Sequence, residues 1–167
     1  WPAPRLMRVS DPVTQFNDEL RGLTQRMFEL MREARGVGLA APQVGRNLRL
    51  FVMNATGQPQ DDRVYINPVL TEALGDESDE EGCLSLPDIR VQIPRSLSLK
   101  MNAQDLEGNP VEQLESGYIA RVWQHEFDHL NGVLLIDRMG LTDRMKYRKK
   151  LREMELDWLA AHPPPKK

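Results

Sequence analysis

The stretch that organises this chain is SGYIARVWQHEFDHLNG, residues 116–132. Its apolar residues recur with a helical period, which predicts a helix over 116–130 that ends at an Asn-Gly stop signal. One face carries Tyr118, Val122 and His125, and the other carries the apolar residues Ile119, Trp123, Phe127 and Leu130. A helix with apolar residues on both sides is usually buried, so we expect the rest of the fold to surround it.

Patterns on either side of this helix predict the surrounding layers. Further helices are predicted over 14–35 and 142–161, and a loop of small residues over 36–43. Strands are predicted over four apolar or alternating runs: 48–53, 64–67, 97–103 and 111–114. Pro68 is expected to end the second of these strands. The order indicates an α+β fold, with antiparallel sheets packed around the central helix and with an N-terminal and a C-terminal helix.

Length and composition limit the class of protein. The 167 residues, 40% of them hydrophobic, suit one domain over 1–161, followed by a Pro/Lys-rich tail over 162–167 that we expect to be disordered. A net charge of -3 excludes a globally basic nucleic-acid binder, and no apolar run approaches the roughly 20 residues that span a bilayer. One cysteine excludes an internal disulfide and fits a reducing compartment.

Within the central helix, His125 and His129 are one turn apart. Residues with this spacing share a helix face, so both imidazoles can reach one metal ion and Glu126 can reach a water bound to it. The alternative is a pair of surface histidines beside a solvated glutamate. Burial of the helix argues against that alternative, because buried imidazoles and carboxylates are costly unless something binds them. The pattern therefore predicts a metal-binding helix of the kind found in zinc hydrolases.

A catalytic site of this type needs a third protein ligand. Downstream of His129 the chain offers only scattered acids and His162. Upstream, the single cysteine, Cys83, stands in EGCLS, residues 81–85. A lone buried cysteine is most often an inert small hydrophobe, but Cys plus two His is a known catalytic set, which favours Cys83 as the third ligand.

Three motifs together resemble the signatures of peptide deformylases: GVGLAAPQ at 36–43, EGCLS at 81–85 and QHEFDHL at 124–130. They occur in that family's order and spacing, and the resemblance covers nearly the whole chain. It implies a metal-dependent hydrolase that removes the N-formyl group from the initiator methionine of nascent polypeptides and releases formate. The implied partners are N-formyl-Met nascent peptides, without a membrane or a specific nucleic acid. The implied location is the cytoplasm of a bacterial-type cell, or an organelle if an upstream transit peptide was removed.

The resemblance also assigns the reacting groups. Cys83, His125 and His129 would bind one divalent metal ion per chain, Fe(II) in the cell, with zinc, nickel or cobalt as alternatives in purified protein. A water held by that ion would attack the formyl carbon. Glu126 would take the proton of this water as general base and pass it to the departing amine as general acid.

Two groups from the other motifs are implied for the oxyanion of the tetrahedral intermediate. These are the side-chain amide of Gln43 and the backbone N–H of Leu84. Taken without the resemblance, Gln43 is only a polar loop residue.

The resemblance further implies an apolar pocket for the methionine side chain. Its walls would be Val37, Gly38, Tyr118, Val122 and the ring of His125, with Glu81 and Arg90 near the mouth. Arg121 lies beside this helix face, where it would meet the substrate's backbone or downstream residues, and a solvated helix-end charge is an equal alternative. Arg95 and Asp128 would form a pair that fixes the motif helix.

Two charged segments remain. The acidic run 76–80 is expected to be a solvated loop. The third predicted helix carries a basic patch: Arg144, Lys146, Arg148, Lys149, Lys150 and Arg152. A solvated face is the preferred interpretation of this patch, and a weak contact with ribosomal RNA is the functional one.

Two other functions are compatible with parts of the pattern. A small zinc endopeptidase would share the His-Glu-His chemistry, but the upstream cysteine and the lack of a second lobe argue against it. A non-catalytic module that binds formyl peptides would be expected to lack Glu126 or Gln43, and both are present.

Overall fold

The computed structural model of the protein describes residues 1–163. Its four helices are α1 (Asp18–Glu33), α2 (Gly117–Leu130), α3 (Leu135–Arg138) and α4 (Leu141–Ala161). Its five strands are β1 (Gly38–Ala40), β2 (Leu50–Met53), β3 (Arg63–Cys83), β4 (Leu86–Gln104) and β5 (Pro110–Ser116). The described residues include no helix with the length and hydrophobicity required to cross a bilayer. The predicted α+β class is confirmed, and residues 164–167 of the expected disordered tail lie outside the described part.

The strands form one antiparallel sheet in the order β1-β2-β3-β4-β5. Each strand pairs with the next along the chain, so every connection is local. β3 and β4 form the longest hairpin, and Cys83 pairs with Leu86 across a turn made of Leu84 and Ser85. The hairpin turn therefore fixes the position of the cysteine.

The prediction that Pro68 ends a strand is wrong. β3 runs through Pro68 to Cys83, with shifts of register between Ile66 and Val69 and again further along. Asn67 takes a left-handed conformation at the first shift, with φ of 51°. Pro68 is tolerated because it falls within the irregularity, where no ladder donor is needed. The acidic run 76–80 is exposed as expected, but it belongs to β3 and is not a loop.

The central helix α2 is buried, as its two apolar sides predict. Trp123 and Leu130 are fully inaccessible and pack with Phe51, Tyr65 and Met101 from the sheet. The Trp123 indole meets the Tyr65 ring edge-on, with centroids 5.5 Å apart. The sheet packs against this helix, so some residues of α2 face the core and others face the end of the β3–β4 hairpin.

The outer helices cover the sheet. α1 is capped by Asn17, whose side chain accepts from the Leu20 N–H, and the helix packs Met27 and Met31 into the core. It starts four residues later than predicted, because this cap precedes the first helical turn. α4 lies where the third helix was predicted, and its apolar residues pack against the β4 segment of the hairpin. The expected loop at 36–43 instead contains β1 and a short 3-10 turn, Ala41–Val44.

Candidate active site

Three candidate metal ligands, one thiol and two imidazoles, lie together where the β3–β4 hairpin contacts α2. Cys83 ends β3, and His125 and His129 lie one turn apart on α2. Cys83 Sγ is 3.3 Å from His129 Nε2, and the candidate ligand atoms of the three residues lie within 4.8 Å of one another. The predicted grouping of these three residues is confirmed.

A metal ion fits this group on chemical grounds. One thiolate and two imidazoles are ligands that zinc and other divalent transition metals accept, and three protein ligands leave a coordination position open. Glu126, next to His125, is 4% exposed, and its Oε2 has no hydrogen-bond partner among the described residues. A buried carboxylate oxygen without a partner is costly, which indicates that a further group binds beside it.

Burial and charge shift the acidity of the reactive groups. Burial raises the pKa of the Glu126 carboxyl above its ordinary value, against the opposing effect of the two neighbouring histidines. Burial also acts to raise the pKa of the Cys83 thiol, but hydrogen bonds with His125 and His129 outweigh it and lower that pKa well below its ordinary value. The site therefore favours a thiolate next to a carboxyl group of weakened acidity.

Glu81 lies beneath the histidines and not at the mouth of the cleft, where it was expected. It is 6% exposed, and its Oε2 lies 3.0 Å from His125 Nδ1. Burial acts to raise the pKa of the Glu81 carboxyl, but hydrogen bonds from His125 and Arg95 lower it to about 2. A carboxylate on the second nitrogen of a metal-binding histidine fixes the orientation of its ring.

Arg121 also departs from expectation. It is 5% exposed, which contradicts the solvated interpretation. Its Nη1 donates to Glu81 Oε1 and to the Ile93 carbonyl, both at 2.8 Å, and its Nη2 donates to the Glu77 carbonyl. The side chain therefore ties α2 to the hairpin through both of its terminal nitrogens.

The predicted pair between Arg95 and Asp128 is present, with Nη1 2.5 Å from Oδ2. Arg95 also donates two hydrogen bonds of 2.9 Å to the Glu81 carboxylate, from Nε and from Nη2. Asp128 has a second partner, Arg138 of α3, which the sequence analysis missed. Nothing in the sequence around Arg138 signals this contact, because α3 is a single turn between longer helices.

Gln43 lies beside Cys83, and its side-chain amide has a fixed orientation. Its Oε1 accepts from the Ala40 N–H at 2.8 Å, so the amide nitrogen points the other way. That Nε2 lies 3.1 Å from Ser85 Oγ and 3.9 Å from Cys83 Sγ. Leu84 follows the cysteine in the hairpin turn, and its backbone N–H is therefore adjacent to the same site. Ser85, which holds the Gln43 amide, was not singled out from the sequence.

A cleft of about 550 Å³ opens onto these groups. Its lining includes every residue predicted for the substrate pocket: Val37, Gly38, Glu81, Arg90, Tyr118, Arg121 and Val122. The exposed fraction of Tyr118 is 55%, and Arg90 is also exposed, which leaves both at the surface of the cleft. Gly38 is required for its shape, because a Cβ there would lie 2.4 Å from Glu126 Oε1.

Comparison with known proteins gives one family throughout. The family model for polypeptide deformylase matches residues 1–145. A peptide deformylase from Thermotoga petrophila is 48% identical over 152 residues, which are 90% of this chain and 91% of that protein. The structure of peptide deformylase from Plasmodium falciparum superposes with a TM-score of 0.94 at 39% identity, covering 98% of both chains. That of Arabidopsis thaliana peptide deformylase 1B gives 0.94 at 34% identity, covering 99% of this chain and 93% of the other.

The match extends over the fold, and the span matched by the family model includes the three motifs and the Cys-His-His group. It favours deformylation over the endopeptidase and binding-module alternatives, neither of which has support among these relatives. The chain therefore belongs to the polypeptide deformylase family, and it is a metal-dependent hydrolase that removes the N-formyl group from nascent polypeptides.

Proposed function

We propose that Glu126 is the proton-transfer residue of this hydrolase and that Cys83, His125 and His129 hold its divalent metal ion. The observation that carries the proposal is the buried Glu126 carboxylate, which adjoins the three ligands and has an oxygen without a partner in the described structure. We further propose Fe(II) as the metal in the cell. Zinc, nickel and cobalt suit the same thiolate and imidazole donors and are alternatives in purified protein.

The bound cation supplies Lewis acidity, which lowers the pKa of an attacking water and polarises the formyl carbonyl. Glu126 accepts a proton from this water at a carboxylate oxygen and then delivers it to the amine nitrogen that leaves. A carboxyl whose pKa is raised by burial is suited to both steps, because it binds the proton more readily than an exposed carboxylate and can still release it.

Gln43 and Leu84 are proposed as the donors to the oxyanion of the tetrahedral intermediate. The bond from Ala40 N–H to Gln43 Oε1 supports this role, because it turns the amide N–H groups toward the ligands. The Leu84 N–H follows directly after Cys83 in the turn. Donors fixed before the reaction stabilise the developing charge without reorganisation.

The methionine side chain is proposed to occupy the cleft between Val37, Gly38, Tyr118 and Val122, with Arg90 at the entrance. All of these residues line the same cavity. Glu81 and Arg121 were expected to touch substrate. Their burial and their mutual 2.8 Å hydrogen bond instead support a role beneath His125, where they hold its ring.

The first test is formate release from a short formyl-Met peptide by protein loaded anaerobically with Fe(II). We expect formate from the wild type, and from Glu126→Gln a kcat lower by about 10²–10⁴-fold, the usual contribution of a positioned acid or base. Bound metal is measured in both proteins, so that loss of the ion is not mistaken for loss of proton transfer. A Glu126→Gln variant with full metal content and wild-type kcat would rule out the role of this carboxylate.

A ribosome contact is a separate proposal, for a weak interaction through the basic patch of α4. Several members of the patch already have partners: Lys150 pairs with Asp88, and Arg152 with Glu155. Lys146 and Arg148 are exposed and make no ion pair within the described residues. We propose that these two cations contact ribosomal RNA, in a cytoplasm of bacterial type.

The test compares the double variant Lys146→Glu/Arg148→Glu with a control double variant, in which Arg21 and Arg26 of α1 are both replaced by glutamate. Ribosome co-sedimentation at low salt is expected to fall for the α4 variant only, with formate release unchanged in both. Equal co-sedimentation of the α4 variant and the wild type would favour the solvated-face interpretation.

A further inference from the structure

A chain of ion pairs beneath the cleft joins Arg138, at the surface, to the ring of His125. Arg138 binds Asp128 through Nη2–Oδ1 at 2.5 Å and Nε–Oδ2 at 3.0 Å. Asp128 Oδ2 also accepts from Arg95 Nη1 at 2.5 Å. Arg95 forks onto both oxygens of Glu81, and Glu81 Oε2 meets His125 Nδ1 at 3.0 Å. Asp128 is thus shared between Arg95 and Arg138, and Glu81 between Arg95, Arg121 and His125.

Burial differs sharply along this chain. The side chains of Arg95, Glu81 and Asp128 are 4%, 6% and 9% exposed, whereas that of Arg138 is 47% exposed. Water screens the interior pairs very little, so their charges must be matched by neighbours. Arg138 is the second cation on Asp128. Without it, Asp128 would be a buried carboxylate whose only cationic partner among the described residues is Arg95.

Arg95 serves two carboxylates at once. Its fork on Glu81 uses Nε and Nη2, and only Nη1 reaches Asp128. When Arg138 is removed, the unmatched charge of Asp128 attracts Arg95 more strongly. A shift of the guanidinium toward Asp128 opens the fork on Glu81, and Glu81 is the group that holds the ring of His125.

We propose that Arg138 is a positioning residue for the metal site, which acts through Asp128, Arg95 and Glu81 on His125. The inference rests on the metal role proposed for His125. Arg138 does not line the cleft and pairs with none of the three ligands, so it acts on the site through its partner Asp128. It is suited to this role because α3 is anchored on both sides of it, by the buried side chains of Leu135 and Met139.

The experiment compares Arg138→Gln with a matched control, Arg46→Gln. Arg46 also pairs with a carboxylate, Glu19, at 2.6 Å and is 48% exposed, but neither of these two residues lines the cleft. Each protein is stripped of metal and titrated with Co(II), and both the dissociation constant and the visible absorption spectrum are recorded. We expect the Co(II) dissociation constant of Arg138→Gln to rise about 10-fold, the lower end of the range for groups outside the ligand shell, with altered absorption bands. Arg46→Gln should match the wild type.

Two further measurements separate this role from a general loss of stability. In a Glu81→Gln background, Arg138→Gln should have a smaller additional effect, because a neutral amide pairs less strongly with Arg95 and the link to His125 is already weakened. Arg138→Lys should recover part of the affinity, since an ammonium keeps the charge but cannot fork. A cavity of about 310 Å³ beside the Arg138–Asp128 pair leaves room for a small guanidinium, so ethylguanidinium should tighten Co(II) binding by Arg138→Gln and not by the wild type.

The outcomes distinguish this inference from the proposed function. Wild-type affinity and spectrum in Arg138→Gln, or the same 10-fold effect with and without Glu81, would overturn the inference and leave the metal role of His125 intact. A wild type that binds no Co(II) would overturn both.

Discussion

Gly38 and Glu126 lie so close that no side chain fits between them: a Cβ on residue 38 would be 2.4 Å from Oε1 and 2.9 Å from Cδ of the carboxylate. Real Cβ atoms do not approach other atoms this closely, so Gly38→Ala must displace the Glu126 side chain. Gly38 is not in the left-handed region, and alanine therefore suits its backbone. The glycine is required for the space it leaves and not for its flexibility.

We expect Gly38→Ala to lower kcat about 100-fold, since a misplacement of about 1 Å has that effect on a positioned group. Formate release at saturating substrate measures it. Gly22→Ala is the control, because, apart from its own helix backbone and chain neighbours, no atom of residues 1–163 lies within 4 Å of a Cβ there and α1 should gain about 0.5–1 kcal/mol of stability. Unchanged kcat in Gly38→Ala would mean that Glu126 reacts from another position.

Gln43→Ala should lower kcat about 10²–10³-fold, because it removes the N–H donor, 3.9 Å from Cys83 Sγ, that we propose for the oxyanion. KM and metal content should change little, since Gln43 is not among the metal ligands. The control is Ser85→Ala, which removes only the hydroxyl that Gln43 Nε2 contacts at 3.1 Å and should have a smaller effect. A large rise in KM with kcat preserved would instead assign Gln43 to ground-state binding.

Much of this site followed from local patterns. The four-residue spacing of His125 and His129 places them together on any helix, and the two apolar sides of α2 predicted its burial. The motif around Cys83 indicated a ligand, although it could not give the hairpin that brings Sγ to 3.3 Å from His129 Nε2.

Contacts between distant segments could not be predicted in this way. Glu81 and Arg121 are 40 residues apart in sequence, and each alone is a charged residue of the type usually found at the surface. Their burial is possible because the fold brings opposite charges together: Arg121 pairs with Glu81, and Glu81 also pairs with Arg95. Likewise Pro68 normally ends a strand, and the irregularity that lets β3 continue depends on contacts made by Asn67 with residues far along the chain.

Those contacts give a stability prediction. The Asn67 amide bonds the N–H and carbonyl of Val13 at 2.8 and 2.9 Å, and it reaches Gln104 Oε1 at 2.8 Å, all from a left-handed backbone. Asn67→Ala should therefore lower the free energy of unfolding by about 2–4 kcal/mol, measured by urea denaturation. Asn67→Gly loses the same bonds without the backbone strain, and it should be about 1 kcal/mol more stable than Asn67→Ala. Equal values for the two variants would show that the strain at this position is negligible.

Removal of the metal should destabilise the fold as well as abolish activity, because the proposed ligands come from two different elements, the β3–β4 hairpin and α2. An ion that binds only the native state adds about 2.7 kcal/mol when its free concentration is 100 times the dissociation constant. In a chain of this size, that corresponds to a fall in Tm of about 5–10 °C when a chelator strips the site, measured by calorimetry or circular dichroism. Cys83→Ala removes the ligand from the hairpin, so its Tm should be nearly insensitive to chelator and to added Zn(II). If the wild type and Cys83→Ala lose the same number of degrees on chelation, the ion is not stabilising the protein through this site.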